Sequence, residues 1–307
     1  MWESSNQTFC SDESASNIVM RRSEDSGKTW GEPVVVIGSD EGVGEGEHAE
    51  RHTWSIFDSV NEKVFLFTNR NVNGPTGCDC GVAYKTSADG GDTWGDLIDL
   101  DEGDVYGMGL AHGITHHTTG RMVGCMRKIC RNSCPPDYAS RSFYSDDGST
   151  WVSSDFLHPG TTECSLVELS DGRLYLNSRP YKGWDGELNR RLVSYSDDVG
   201  ESWGDVMVEE SLIDYGFADQ GGMASDGPGG RLAFVHPYSE ERMNMTFYRG
   251  GMDEEGVVRW DNETTEVIYG GESEYSDVAF LGGEAGGIGV LFERDAYDKI
   301  SFKVIEW

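Results

Sequence analysis

Four short stretches of this chain repeat one pattern. SEDSGKTW (23–30), SADGGDTW (87–94) and SDDVGESW (196–203) all read Ser-x-Asp-x-Gly-x-Thr/Ser-Trp, and SDDGSTW (145–151) is the same pattern one residue shorter. A pattern with so many fixed positions does not recur four times by chance, so it constrains the fold before anything else does. Its residue types describe a turn. Asp25, Asp89, Asp147 and Asp198 can accept hydrogen bonds from turn amides. The glycines that follow them tolerate positive φ, and each tryptophan is a large apolar anchor beneath the turn.

Strand-like runs flank these turns. SNIVMRRS, CGVAYKTS, SRSFYS and RRLVSYS precede them, and runs such as EPVVVIG and DVMVEES follow, which makes each copy the tip of a hairpin. The tryptophans recur roughly every fifty to sixty-five residues, about the length of a four-stranded propeller blade with its loops. Trp260, at the end of FYRGGMDEEGVVRW, keeps that period as a fifth, degenerate copy. Apolar residues show almost no 3.6-residue periodicity over any long window, so helices are expected to be few.

A length of 307 residues accommodates one large β-fold or two ordinary domains. With 41 Gly and 8 Pro the chain has the makings of many tight turns. Fifty-five acidic against 24 basic residues give a net charge of −31, which excludes a generic nucleic-acid binder and argues against docking on an anionic membrane. Such a surface suits high salt, where its self-repulsion is screened. No apolar run reaches the length of a transmembrane helix. Met1 is followed by WESSNQTFCSDES, without the basic and apolar regions of a signal peptide, so lysosomal, cytoplasmic and secreted locations all stay open.

The seven cysteines are an odd number. Cys78 and Cys80 are too close to bridge each other comfortably, whereas Cys130 and Cys134 could close a small loop. A metal site adding His116 and His117 to these cysteines would fit no standard zinc spacing.

The repeat is the Asp-box, and it resembles the sialidase superfamily of β-propellers. Segments between the boxes resemble that family in its own order. SDESASNIVMRRSEDSGKTW places an acid shortly before Ile-Val-x-Arg-Arg, TTECSLVELSDGRLYLNSR (161–179) opens on a glutamate and ends on an arginine, and HPYSEERMNMTFY (236–248) holds a further arginine. SEYSDVAF (273–280) is the Tyr-Ser-Asp segment, followed by GVLFERDAYDKISF. The resemblance implies an all-β, six-bladed propeller with four Asp-box hairpins, forming one sialidase-like domain over residues 1–307. It also implies exo-α-sialidase activity on sialylated oligosaccharides, glycoproteins or gangliosides, with no cofactor or metal.

The chemistry suits those residue types. Sialic acid carries a carboxylate on its anomeric carbon, which calls for fixed guanidinium groups, and Arg179 and Arg242 are the matching positions. A carboxylate nucleophile would be repelled by that anion, whereas a neutral phenol would not, and sialidases are the tyrosine exception among glycosidases. The resemblance therefore implies Tyr275 as nucleophile, Glu163 as its base, and Asp12 as the acid that protonates the leaving group and later activates water. Arg51, Asp219 and Gln220 fall where the family places further possible substrate contacts. The family also places an arginine in a Tyr/Phe-Arg-Ile-Pro strand upstream of the acid, but MWESSNQTFCS, before Asp12, contains none. The N-terminal blade is therefore expected to be incomplete, and a weakened or inactive propeller that binds a glycan or protein is the alternative. A glycosidase acting on neutral polysaccharide would want two carboxylates and no arginine cluster.

Overall fold

The computed structural model describes residues 2–5, 16–42, 49–50, 52–72, 80–100, 111–127, 139–157, 159–181, 189–215, 219–282 and 286–307. Among them the chain is all β apart from a single 3-10 turn at Gly227–Gly229. No helix of the described residues is long and apolar enough to cross a membrane.

The strands form sheets in chain order, as a propeller-like arrangement requires. The first sheet is β1 (Trp2–Ser5), β2 (Ser16–Met20) and β3 (Val34–Ile37). The second comprises β4 (Ala49–Glu50), β5 (Thr53–Asp58), β6 (Lys63–Val72), β7 (Cys80–Ser87) and β8 (Ile98–Asp99), with both β4 and β5 paired to β6. The third is β9 (Ile114–Thr115), β10 (Met122–Arg127), β11 (Ser140–Ser145) and β12 (Val152–Ser153). The fourth is β13 (Thr161–Glu168), β14 (Leu174–Pro180), β15 (Arg190–Ser196) and β16 (Met207–Ile213).

Six strands complete the chain in one hydrogen-bonded path: β17 (Gly222–Ser225), β18 (Arg231–Pro237), β19 (Met243–Met252), β20 (Val258–Phe280), β21 (Ile288–Arg294) and β22 (Lys299–Ile305). β20 is 23 residues long. It pairs with β19 as far as Glu272 and with β21 from Ser273 onward.

The Asp-box turns form as their residue types dictate. Asp25 Oδ1 accepts the Thr29 amide at 2.8 Å and its Oδ2 accepts the Thr29 hydroxyl at 2.6 Å, while Ser23 Oγ accepts the Gly27 amide at 2.7 Å. Asp89 and Asp198 repeat this with Thr93 and Ser202, and the shortened copy uses Thr150 on Asp147. The degenerate copy is present as well. Asp253 Oδ1 accepts the Val257 amide at 2.9 Å, and Trp260 is buried in the core beyond it.

Each box glycine packs on the preceding sheet. A Cβ placed on Gly91 would meet Met20 of β2, on Gly148 Phe65 of β6, and on Gly200 Val123 of β10. The first box obeys the same rule against the last sheet: Gly27, at φ 85°, lies so close to the Phe302 ring of β22 that only glycine fits. The Trp30 and Phe302 rings stand edge to face at 5.2 Å. The first and last sheets are therefore in contact. Trp30 departs from the expected buried anchor, being 40% exposed despite this contact, while Trp151 fills the core between the second and third sheets at 5.0 Å from Phe67.

Cys125 of β10 and Cys164 of β13 form a disulfide across neighbouring sheets, with Cα atoms 6.1 Å apart. The loop bridge suggested for Cys130 and Cys134 lies outside the described residues, as does Cys78. His116 is buried, with Nδ1 2.9 Å from Thr119 Oγ1 and Nε2 2.9 Å from the Gly172 carbonyl. Among the described residues no group of three His, Cys, Asp or Glu could hold a metal ion.

Candidate active site

Two β-bulges aim the central pair of side chains. On β13 the ladder slips between Thr162, which faces Arg179, and Cys164, which faces Ser178. Glu163 stands in that gap at φ 37°, a left-handed conformation costly for a residue with a Cβ. On β20 the register with β21 slips between Ser273 and Ser276, and Tyr275 lies in the slip. Each bulge turns one polar side chain out of the regular alternation. The two meet: Tyr275 Oη donates to Glu163 Oε1 at 2.8 Å across 112 residues of chain.

Arginines flank the glutamate. Arg179, opposite the bulge on β14, donates from Nη1 to Glu163 Oε2 at 2.5 Å. Arg127, at the end of β10, places Nη1 3.6 Å from Oε1 and 3.4 Å from the Thr162 hydroxyl. Burial pushes the Glu163 carboxyl up, but the two guanidiniums and the hydrogen bonds from Arg179 and Tyr275 outweigh it, leaving it below the ordinary range. Tyr275 moves the other way. Burial and the Glu163 charge hold its phenol well above its ordinary value.

Arg242 occupies the turn between β18 and β19 at φ 54°, and its carbonyl accepts the Ser273 amide at 2.8 Å. Its Nη2 lies 2.8 Å from Asp219 Oδ1, and its Nη1 donates to Glu274 Oε2 at 2.9 Å and to Tyr297 Oη at 2.7 Å. Asp219 is the buried partner of Arg242. Burial pushes its carboxyl well up against the pull of Arg242, and the charges of Glu274, Arg179 and Glu163 also act on it. The next residue, Gln220, accepts the Ser276 amide at 3.2 Å, beside Tyr275.

Of the residues read from sequence, Tyr275, Glu163 and Arg179 form one hydrogen-bonded chain, and Arg242 is tied to the strand of Tyr275 through the Ser273 amide and Glu274. Asp219 and Gln220 are both buried beside this chain, and among the described residues Asp219 Oδ2 and Gln220 Nε2 have no hydrogen-bond partner. Asp12 and Arg51 lie outside the described residues.

The sequence reading missed four participants: Arg127, Glu274, Tyr297 and Arg191. Arg191 of β15 is fully buried and donates to Asn177 Oδ1 at 2.6 Å, Asp214 Oδ2 at 2.9 Å and the Asp219 carbonyl at 3.0 Å. Burial pulls its guanidinium down and the Asp214 carboxyl up. Its only sequence signal was a paired arginine in an alternating strand, RRLVSYS, where one of the two must face inward.

The family model described as a BNR repeat-like domain matches residues 1–284. A sialidase of Micromonospora viridifaciens is 31% identical over 64% of this chain, which spans about a third (32%) of that relative's length. Sialidase-2 of Mus musculus is 23% identical over 95% of the chain and 84% of its own length. Among solved structures, the Hadza microbial sialidase Hz136 superposes with a TM-score of 0.79 at 19% identity, covering 98% of this chain and 61% of that one.

Proposed function

This chain belongs to the sialidase/BNR-repeat superfamily, and from that premise we propose that it is an exo-α-sialidase, releasing terminal sialic acid from glycoconjugates with retention of configuration. The observation that carries the reading is the buried Tyr275–Glu163 pair, with Arg179 fixed on the far oxygen of the glutamate. A tyrosine bonded to a buried carboxylate among arginines suits attack on an anionic sugar.

Arg179 and Arg242 bind the substrate carboxylate, aided by charge on an otherwise repulsive surface. Tyr275 Oη attacks the anomeric carbon while its proton passes to Glu163 Oε1, and Asp12 gives a proton to the departing oxygen. A water deprotonated by Asp12 then attacks the same carbon, the bond to Tyr275 Oη breaks, and Glu163 returns the proton to the phenol. With the phenol held above and the carboxyl below their ordinary values, the resting proton sits on Tyr275. Proton transfer therefore accompanies attack instead of preceding it.

Six blades in one domain, with β20 serving two of them, complete the reading, and a crystal structure tests that count. Function is tested by kcat/KM for a fluorogenic sialoside with the unmodified chain and with Tyr275→Phe. Loss of turnover in the variant supports the reading. Sialoside binding without turnover in the unmodified chain would favour the alternative, an impaired propeller that binds glycan or protein.

A further inference from the structure

The turn joining β21 to β22 is strained and braced. Asp295, Ala296 and Tyr297 all have positive φ, at 55°, 54° and 65°, and none is glycine. Three consecutive L-residues in the left-handed region are costly and persist only where surrounding contacts fix them. Those contacts converge on Asp295. Its carboxylate accepts Tyr269 Oη at 2.6 Å, Arg294 Nη1 at 2.7 Å and Lys299 Nζ at 2.9 Å. Its amide donates to the Glu272 carbonyl at 3.0 Å, and its own carbonyl accepts the Asp298 amide at 3.2 Å.

What this bracing delivers is the position of Tyr297. The hydroxyl accepts from Arg242 Nη1 at 2.7 Å, yet the residue is 56% exposed, so an aromatic residue reaches solvent beside a polar cluster whose other members are largely buried. Tyrosine with its polar tip fixed and its ring free is a rigid, amphipathic contact surface of low entropy cost.

Resting on the sialidase reading above, we propose that Tyr297 forms the leaving-group subsite, its ring stacking on the apolar face of the sugar to which the sialyl residue is attached. The geometry follows from the substrate's own bonds. Arg242 holds a carboxylate attached to the anomeric carbon, and the leaving-group oxygen is attached to that same carbon. A ring touching Arg242 is therefore within one sugar's length of the scissile bond. An exo-acting site encloses the terminal residue and must let the remaining glycan project to solvent, and Tyr297 is the solvent-exposed member of the cluster around Arg242. The C–H faces of a pyranose and an aromatic ring complement each other in shape and polarity. Stacking would add specificity for a glycan over a small alcohol without touching the chemistry.

The test compares two substrates that differ only in what leaves: the methyl α-sialoside and α2,3-sialyllactose. Each is assayed for kcat/KM with the unmodified chain, Tyr297→Phe and Tyr297→Ala. The phenylalanine variant keeps the ring and loses the Arg242 bond, so it changes both substrates by the same factor. The alanine variant is expected to lower the lactoside-to-methyl ratio about tenfold, equivalent to about 1.4 kcal/mol. A ratio unchanged in Tyr297→Ala, with both substrates slowed alike, makes Tyr297 a prop for Arg242 and overturns the subsite while the sialidase reading stands. An equal fall of the ratio in Tyr297→Phe assigns the effect to the hydroxyl and also overturns stacking. Failure of the unmodified chain to turn over either sialoside removes the sialidase reading and the subsite with it.

Discussion

Replacing Arg191 by methionine should separate what holds this protein together from what makes it work. The guanidinium is fully buried and so is Asp214, its ion-pair partner at 2.9 Å. Methionine roughly fills the volume but leaves a carboxylate buried without its countercharge, which costs about 3–5 kcal/mol. At about 2.1 cal/mol/K of unfolding entropy per residue, a chain of 307 residues loses roughly 5–8 °C of Tm. The double variant Arg191→Met/Asp214→Leu removes both charges and should regain more than half of that loss, since the Asn177 oxygen is left unsatisfied in both variants alike. Activity should not follow. Arg191 also donates to the Asp219 carbonyl, and the Asp219 carboxylate lies against Arg242, so both variants leave that loop without its anchor. The expected outcome is sialoside kcat/KM at least about tenfold below the unmodified chain in both, a loss of about 1.4 kcal/mol. The measurements are thermal unfolding followed by circular dichroism and initial rates at one pH. Recovery of both Tm and kcat/KM in the double variant would refute the reasoning and confine Arg191 to offsetting Asp214.

Three further outcomes are expected. Removing the Cys125–Cys164 disulfide, by serine at both positions, should destabilise the fold by about 4 kcal/mol in the chain-entropy description for a 39-residue separation, read from guanidinium unfolding; an unchanged midpoint would mean the thiols are not bridged. The Asp-box carboxylates should give an acid-dependent stability: hydrogen bonds from Thr29 lower Asp25 to about 2, so the stabilisation is present above the unfolded value near 4 and is lost as pH falls toward about 2. Thr29→Val should flatten the fall of Tm between about pH 4 and 2, and an identical slope in both chains would remove the Thr29 hydroxyl bond to Asp25 as a contributor. Arg127→Ala, which strips a cation from beside the glutamate oxygen that accepts the Tyr275 proton, should lower kcat more than it raises KM, and a pure KM effect would move Arg127 from the base to substrate binding.

What could be read from the sequence was whatever a local pattern encodes. The box hairpins were legible because Asp25 bonds to residues only four positions away, and the degenerate copy at Trp260 because the period survived its altered wording. Glu163, Arg179 and Tyr275 were picked out because they match a family pattern, yet nothing local says that a tyrosine and a glutamate 112 residues apart will touch. That contact depends on two bulges, and bulges leave no trace in hydrophobic alternation. The cysteine pairing escaped for the same reason: Cys125 and Cys164 sit on neighbouring sheets, so their separation along the chain gave no hint of it. Tyr297 was invisible because three ordinary residues, Asp-Ala-Tyr, carry the left-handed turn that sequence rules reserve for glycine or asparagine.

β20 imposes a rule of parity on any change in chain length. Its first part is registered against β19, its second against β21, and Tyr275 lies fifteen residues beyond Trp260 along the one continuous strand. Because side chains alternate from face to face, gaining or losing one residue between those two would put either the tryptophan or the tyrosine on the wrong side, whereas gaining or losing two would keep both where they are. Single-residue changes survive only where an irregularity in the ladder with β19, such as the slip between Phe247 and Arg249, can take up the odd residue. Length variation along this strand should therefore come in pairs, or be accompanied by a moved bulge.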